Sequence, residues 1–297
     1  MLAAFLRNDK NPTLATVGVL SGGIFNIFGD YIFVFVFDMG ILGADLATSI
    51  GSVISCIVML THFVSKRNSL ALVKPTKVFH KLKEMCVTGF STFFIDVAMG
   101  ILTMLFNRQI LKYLGTEALS VYGIIINIST FVQCCAYSIG QASQPIISTN
   151  LGAGKGERIS QILKYALGTA AVFSLIWTVL AEFVPTLFVN IFMTPTENIL
   201  AIAPNIIRSY GISFILLPLN IFSTYYFQAL MKPAASFAVS VSRGALVSGI
   251  FIYFLPAIAG ADTIWFSMPL TELIVAIYVI AMIIKYTKQL PKERTVL

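Results

Sequence analysis

Residues 13–37 read TLATVGVLSGGIFNIFGDYIFVFVF, and this run decides the fold class. It contains no Lys or Arg and exceeds the ~20 residues that cross a bilayer core as a helix. Asn26 and Asp30 stand one helical turn apart within it, hence on one helix face. A carboxylate at the centre of a span costs at least ~2.5 kcal/mol, so Asp30 is expected to face a partner, a cavity or an ion rather than lipid.

The rest of the chain agrees with a membrane setting. Of its 297 residues, 57% are hydrophobic and 11% charged, with a mean hydropathy of +0.87, a composition that needs lipid around it. Apolar runs recur along its whole length, predicting an all-α polytopic membrane protein of about eight transmembrane helices: Thr13 to Phe37, Asp45 to Val64, Gly89 to Leu111, Ala118 to Asn150, Ile159 to Phe183, Ile199 to Leu230, Ala234 to Leu255 and Thr263 to Tyr286. With eight spans, the N-terminal segment, alternate loops and the C-terminal tail share one side. That side collects 17 of the 20 Lys and Arg, Lys232 and Arg243 counted among its loop charges. Arg108, Lys112 and Arg208 fall toward the other face, so both termini of the chain are expected to be cytoplasmic in the plasma membrane. The net charge of +7 is therefore a topology signal, and no nucleic-acid partner is expected. The partner is the bilayer.

The longest polar interruption, residues 65–88, is basic and amphipathic and reads as a cytoplasmic linker against anionic headgroups. It divides the chain into 1–64 and 89–297. A weak repeat spans the division: Asn11-Pro12 starts a stretch ending in Gly43-Ala44-Asp45, and Lys232-Pro233 starts one ending in Gly260-Ala261-Asp262. Gly in each tripeptide is expected to make the turn and Asp to cap the next helix. The first segment then matches only the last two spans of the second, so the chain is expected to be truncated at its N-terminus. Cys56, Cys86, Cys134 and Cys135 are expected to be small buried hydrophobes.

These residues resemble a family. The segment Arg7-Asn8-Asp9-Lys10-Asn11-Pro12, the pair Asn26 and Asp30-Tyr31-Ile32-Phe33, and Gly40-Ile41-Leu42-Gly43-Ala44 are similar to the multidrug and toxic compound extrusion (MATE) family. So are Gly140-Gln141-Ala142-Ser143-Gln144-Pro145 and Asn150-Leu151-Gly152-Ala153-Gly154-Lys155, and the resemblance runs over essentially the whole chain. It implies two six-helix lobes around a central cleft and exchange of Na+ or H+ for organic cations. The chain would begin at the end of the fourth helix. Residues 1–64 would then be the end of an N-lobe (the tail of helix 4, with helices 5 and 6), and 89–297 a six-helix C-lobe with a cytoplasmic tail.

The resemblance assigns Asp30, Asn26 and Thr48 to a cation site of the N-lobe. Their carboxylate, amide and hydroxyl oxygens suit Na+ or a proton relay, while the same residue types also make helix-packing networks. Asp96, a second carboxylate in mid-span, matches an acidic position of the seventh helix in some members and is a candidate for cation or substrate binding. Glu272, Gln133, Gln141 and Tyr137 are further candidates to line a substrate cleft, each with interhelical hydrogen bonding as the competing reading. No cofactor is expected, and no metal beyond Na+.

Enzyme chemistry finds no support. Gly152-Ala153-Gly154-Lys155-Gly156 imitates a phosphate loop but has Thr149 at the first Gly position and Gly156 where a Mg2+-binding hydroxyl belongs. His62 and His80 have no ligand cluster at metal spacing. The expected function is cation-coupled antiport exporting organic cations. Two alternatives stand beside it: a flippase for lipid-linked saccharides, and a non-transporting remnant or subunit completed by a chain supplying the first helices.

Overall fold

The computed structural model describes residues 2–65, 68–70 and 78–291; the side chains of residues 88, 91, 92 and 94–96 lie outside that description. Among the described residues the chain is helical, without a strand. It divides into two compact units, Met1–Thr76 and Lys77–Leu297.

The first unit contains α1 (Leu2–Asn8), α2 (Pro12–Val36) and α3 (Gly40–Val64). Asn11 caps α2, its side chain accepting from the Leu14 N–H at 3.3 Å, and Pro12 follows at the first helical position, where its missing N–H costs nothing. The two spans approach through small residues. Gly18, Gly22 and Gly29 of α2 are buried, as are Gly43, Ala47 and Gly51 of α3, so each helix presents a face of near-bare backbone to the other. A Cβ built on Gly22 would lie 2.3 Å from the Gly51 carbonyl oxygen and 2.0 Å from Ser55 Oγ. Beyond Asp30, α2 widens into a π-helical segment, Tyr31–Val36. The opposite faces expose Ile27, Phe28, Phe35 and Ile57, which hydrocarbon satisfies and water would not.

The second unit contains α4 (Val78–Tyr113), α5 (Gly115–Gly152), α6 (Gly156–Phe183), the short α7 (Pro185–Phe192), α8 (Glu197–Ala229), α9 (Pro233–Ala259) and α10 (Ala261–Lys288). Seven helices of the described chain, all but α4 among its long ones, are apolar and long enough to cross a membrane. Helix α4 starts at Val78, well before the Gly89 where its apolar run begins, because the basic stretch before that glycine continues as helix. A 3-10 turn, Ile212–Ile215, interrupts α8 just before Pro218. Helix α9 carries a π-helical segment at Ser242–Leu246.

Two apolar clusters fill this unit, one around Phe106, Tyr122, Ile125 and Trp265, the other around Ile147, Phe222, Tyr226 and Val279. Among the buried members, the first reaches Ile221 on α8 and the second starts at Phe222; on α9 they are separated by residues 240–251, and on α10 by residues 269–274. Asn220, Arg243 and Glu272 belong to this seam. A polar layer therefore lies where two hydrocarbon cores meet.

The repeat is visible in the backbone. Lys10 (φ 60°) and Met231 (φ 56°) both adopt the left-handed conformation two residues before a proline. The next N–H reaches back five residues in each case, Asn11 to the Leu6 oxygen at 2.9 Å and Lys232 to the Phe227 oxygen at 2.8 Å. Gly154 (φ 70°) and Lys155, which donates to the Asn150 oxygen, form the same helix stop. At the other end of the spans the expected symmetry fails. Gly260 (φ 100°) makes its turn, but Gly43 lies inside α3 and the turn before it is made by Asp38 and Gly40, both with positive φ. Neither Asp45 nor Asp262 is a cap: the cap residues are Met39 and Gly260, without a capping side-chain hydrogen bond.

Candidate ion and substrate sites

In the first unit, helix spacing puts Asn26 and Asp30 on neighbouring turns of α2, and the glycine contact below them brings α3 within hydrogen-bond reach. Asn26 Nδ2 donates to Thr48 Oγ1 at 3.1 Å, while the Thr48 hydroxyl donates to the Ala44 carbonyl at 3.0 Å. These bonds leave the amide oxygen of Asn26 outside the pair. Asp30 Oδ1 is buried and has no hydrogen-bond partner in the structure. A buried carboxylate oxygen without a donor is costly unless a proton or cation meets it. The structure thus links Asn26 to Thr48 and leaves Asp30, at the entrance to the π-helical segment, with an open oxygen.

The second unit contains a different arrangement. Glu272 of α10 is fully buried, and Arg243 of α9 is 7% exposed; Arg243 Nε donates to Glu272 Oε1 at 2.6 Å. Asn220 of α8 donates through Nδ2 to Glu272 Oε2 at 2.6 Å and to the Glu272 carbonyl at 2.9 Å. Both carboxylate oxygens are therefore engaged by groups from two other helices. Asn220 Oδ1 remains buried without a partner. Asn220, Arg243, Tyr137, Thr224 and Ser240 border a cavity of about 10 Å3, the room of one water molecule.

Among the expected cleft residues, Tyr137 is joined to this cluster through that cavity, and its hydroxyl donates to Gln133 Oε1 at 3.4 Å. Gln141, one turn further along α5, is exposed. The side chain of Asp96 lies outside the described residues. Arg243 was counted with the loop charges and requires correction: it sits ten residues into α9, about 15 Å along the helix, with its side chain inside the unit. Its signal was available, since an Arg and a Glu in two adjacent apolar runs have few alternatives to each other. The cysteines also differ from expectation: all four are free, but Cys56, Cys86 and Cys134 are exposed on helix faces.

A second buried polar group closes the first unit near its loops. His62, fully buried, lies with Nε2 2.6 Å from Asp9 Oδ2 and Nδ1 3.1 Å from Asn11 Nδ2. The Ser69 N–H donates to Asp9 Oδ2 at 3.0 Å, and the Ser69 hydroxyl donates to Oδ1. Sequence reading passed over it because its two halves, Asp9 with Asn11 and His62 with Ser69, are more than fifty residues apart.

Comparison with known proteins places the chain in a family. The MatE family model matches residues 92–254. The multidrug export protein MepA of Staphylococcus saprophyticus is 25% identical over 290 residues, and that of Staphylococcus aureus strain MSSA476 is 24% identical. Each match covers 96% of this chain and 62% of the relative, so the chain spans under two thirds of the length of these relatives. Among solved structures, a multidrug resistance MATE family transporter of the MOP superfamily in an outward-facing conformation superposes with a TM-score of 0.88 at 18% identity. That superposition covers 97% of this chain and 65% of the other.

Proposed function

The chain belongs to the MatE family, a family of membrane transporters rather than enzymes, and from that footing we propose that it exports organic cations in exchange for Na+ or H+ taken up at Asp30. The observation that carries the proposal is the buried, unpartnered oxygen of Asp30. Next to it on α2, Asn26 is held by Thr48 with its amide oxygen outside that hydrogen bond. A hard monovalent cation is served by carboxylate and amide oxygens, and a proton would neutralise the same carboxylate.

Coupling follows if the ion binds one conformation of the transporter better than the other, since a ligand moves an equilibrium only by its differential affinity. In this reading both termini of the chain face the cytoplasm. Sixteen of the 20 Lys and Arg support that orientation once Arg243 is assigned to the span.

The flippase alternative calls for cationic groups to meet a pyrophosphate. Arg243, buried in the second unit, is neutralised by Glu272, which favours the cation exporter.

The test is efflux of a fluorescent lipophilic cation from loaded cells expressing the whole protein, with and without Asp30→Asn. Loss of ion-driven efflux at an unchanged protein level is expected. Wild-type efflux by the variant overturns the assignment.

A further inference from the structure

The two units treat their buried carboxylates differently. Asn26 lies on α2 and Arg243 on α9, the helices that follow the matching left-handed stops at Lys10 and Met231. Both α2 and α9 have a π-helical segment close by, Tyr31–Val36 and Ser242–Leu246. π-helical turns alter which side chains face a partner helix and recur at functional sites. Where the first unit has a neutral amide and an open carboxylate oxygen, the second has a guanidinium and a carboxylate with both oxygens engaged.

We propose that Arg243 is a tethered counter-cation that holds, beside Glu272, the position a diffusible Na+ or proton would otherwise take. Glu272 thereby draws no ion from solution, and Arg243 decides which carboxylate of the chain is ion-dependent. Three features support it. Arg243 approaches Glu272 at 2.6 Å inside an apolar unit, where a carboxylate demands a compensating charge. Asn220 completes the carboxylate's second oxygen and fixes its orientation. The adjoining cavity has four oxygen-bearing side chains, Tyr137, Asn220, Thr224 and Ser240, in a lining it shares with Met99, Ile221 and Val239, and Asn220 Oδ1 is unpartnered. Cutting Arg243 back to Ala would join the space of its side chain to that cavity. The product is a carboxylate among neutral oxygens, the donor set of a Na+ site.

The inference concerns a different carboxylate from Asp30, and its test is run with and without Asp30→Asn so that the two readings fail separately. The whole protein is purified in detergent, and thermal unfolding is followed in Na+ or choline at equal ionic strength. With Arg243 present in the Asp30→Asn background, Tm is expected to be the same in both salts. With Arg243→Ala added, Na+ is expected to raise Tm by about 3 °C or more at ten times its Kd. Adding Glu272→Gln should abolish the effect, and Arg243→Lys, which keeps a tethered cation, should stay indifferent to Na+.

An Arg243→Ala variant indifferent to Na+ makes the pair a packing contact and overturns the proposal. So does a Na+ response with Arg243 intact that Glu272→Gln removes. If Arg243→Ala does not survive purification, extraction is repeated in each salt with Arg243→Gln, which retains a hydrogen-bond donor. Recovery in Na+ but not in choline supports the proposal, and failure in both, or equal recovery in both, overturns it.

Discussion

The imidazole of His62 meets the carboxylate of Asp9 at 2.6 Å across fifty-three residues of sequence. On its other side, Asn11 fixes the proton. The Asn11 amide oxygen accepts from the Leu14 N–H, which turns the amide nitrogen toward His62 Nδ1. Nδ1 must then accept, so Nε2 carries the hydrogen and donates to Asp9. The cap of α2, the end of α3 and the loop before α2 thus share one network.

Asp9 makes this network sensitive to acid. The Ser69 hydroxyl, His62 and the Ser69 N–H hold its carboxyl down at about 2, below the ordinary 3.8. A lowered folded-state value contributes stability that is complete above the ordinary value and is lost as pH falls from there through about 2. Thermal unfolding of the wild type should therefore weaken over that window more steeply than that of Asp9→Asn. The variant should be less stable at neutral pH. Equal slopes for the two proteins would remove Asp9 from the account.

Gly22 and Gly23 offer a contrast between neighbours. A Cβ on Gly22 meets the fixed Gly51 carbonyl, whereas one on Gly23 finds nothing within 4 Å. Gly22→Ala is expected to cost about 1–3 kcal/mol by forcing α2 and α3 apart, and to weaken transport by stretching the Asn26–Thr48 bond. Gly23→Ala should be neutral or stabilising by up to about 1 kcal/mol, because Ala is the better helix former. Melting curves of the two variants in detergent decide it.

The left-handed residue at the start of α9 makes a prediction of opposite sign. Met231 carries a side chain at φ 56°, a conformation that disfavours a Cβ. Met231→Gly is expected to stabilise by about 1 kcal/mol, and Gly154→Ala, at the matching stop before α6, to destabilise by a similar amount. A fall in Tm for Met231→Gly would mean that its side chain is held by contacts stronger than the strain.

The buried pair in the second unit should show strong coupling. Removing either charge alone, by Arg243→Met or Glu272→Gln, leaves the other uncompensated and is expected to cost about 3–5 kcal/mol. The double variant should recover much of that loss. A double-mutant cycle on thermal unfolding measures the coupling, and additive losses would show that the two charges are stabilised independently.

What could be read from the chain itself was whatever depends on local order and length. Apolar runs of sufficient length dictate membrane helices, since backbone groups in hydrocarbon must pair within their own segment. Spacing alone put Asn26 and Asp30 on one face, and the Asn11-Pro12 and Lys232-Pro233 starts were visible as a repeat. Tertiary structure decided what each polar residue meets. Arg243 was counted with the charges of the cytoplasmic side, although its span runs past it, until packing buried it against Glu272, and His62 looked isolated until folding brought Asp9 and Asn11 to its two nitrogens. The Gly-Ala-Asp tripeptides, alike in sequence, diverged because Gly40 and Asp38 turned the chain before Gly43. Helix periodicity is set within a few residues and leaves its mark in sequence. The partner of a buried charge is set by which helices pack together, and that depends on contacts between residues far apart along the chain.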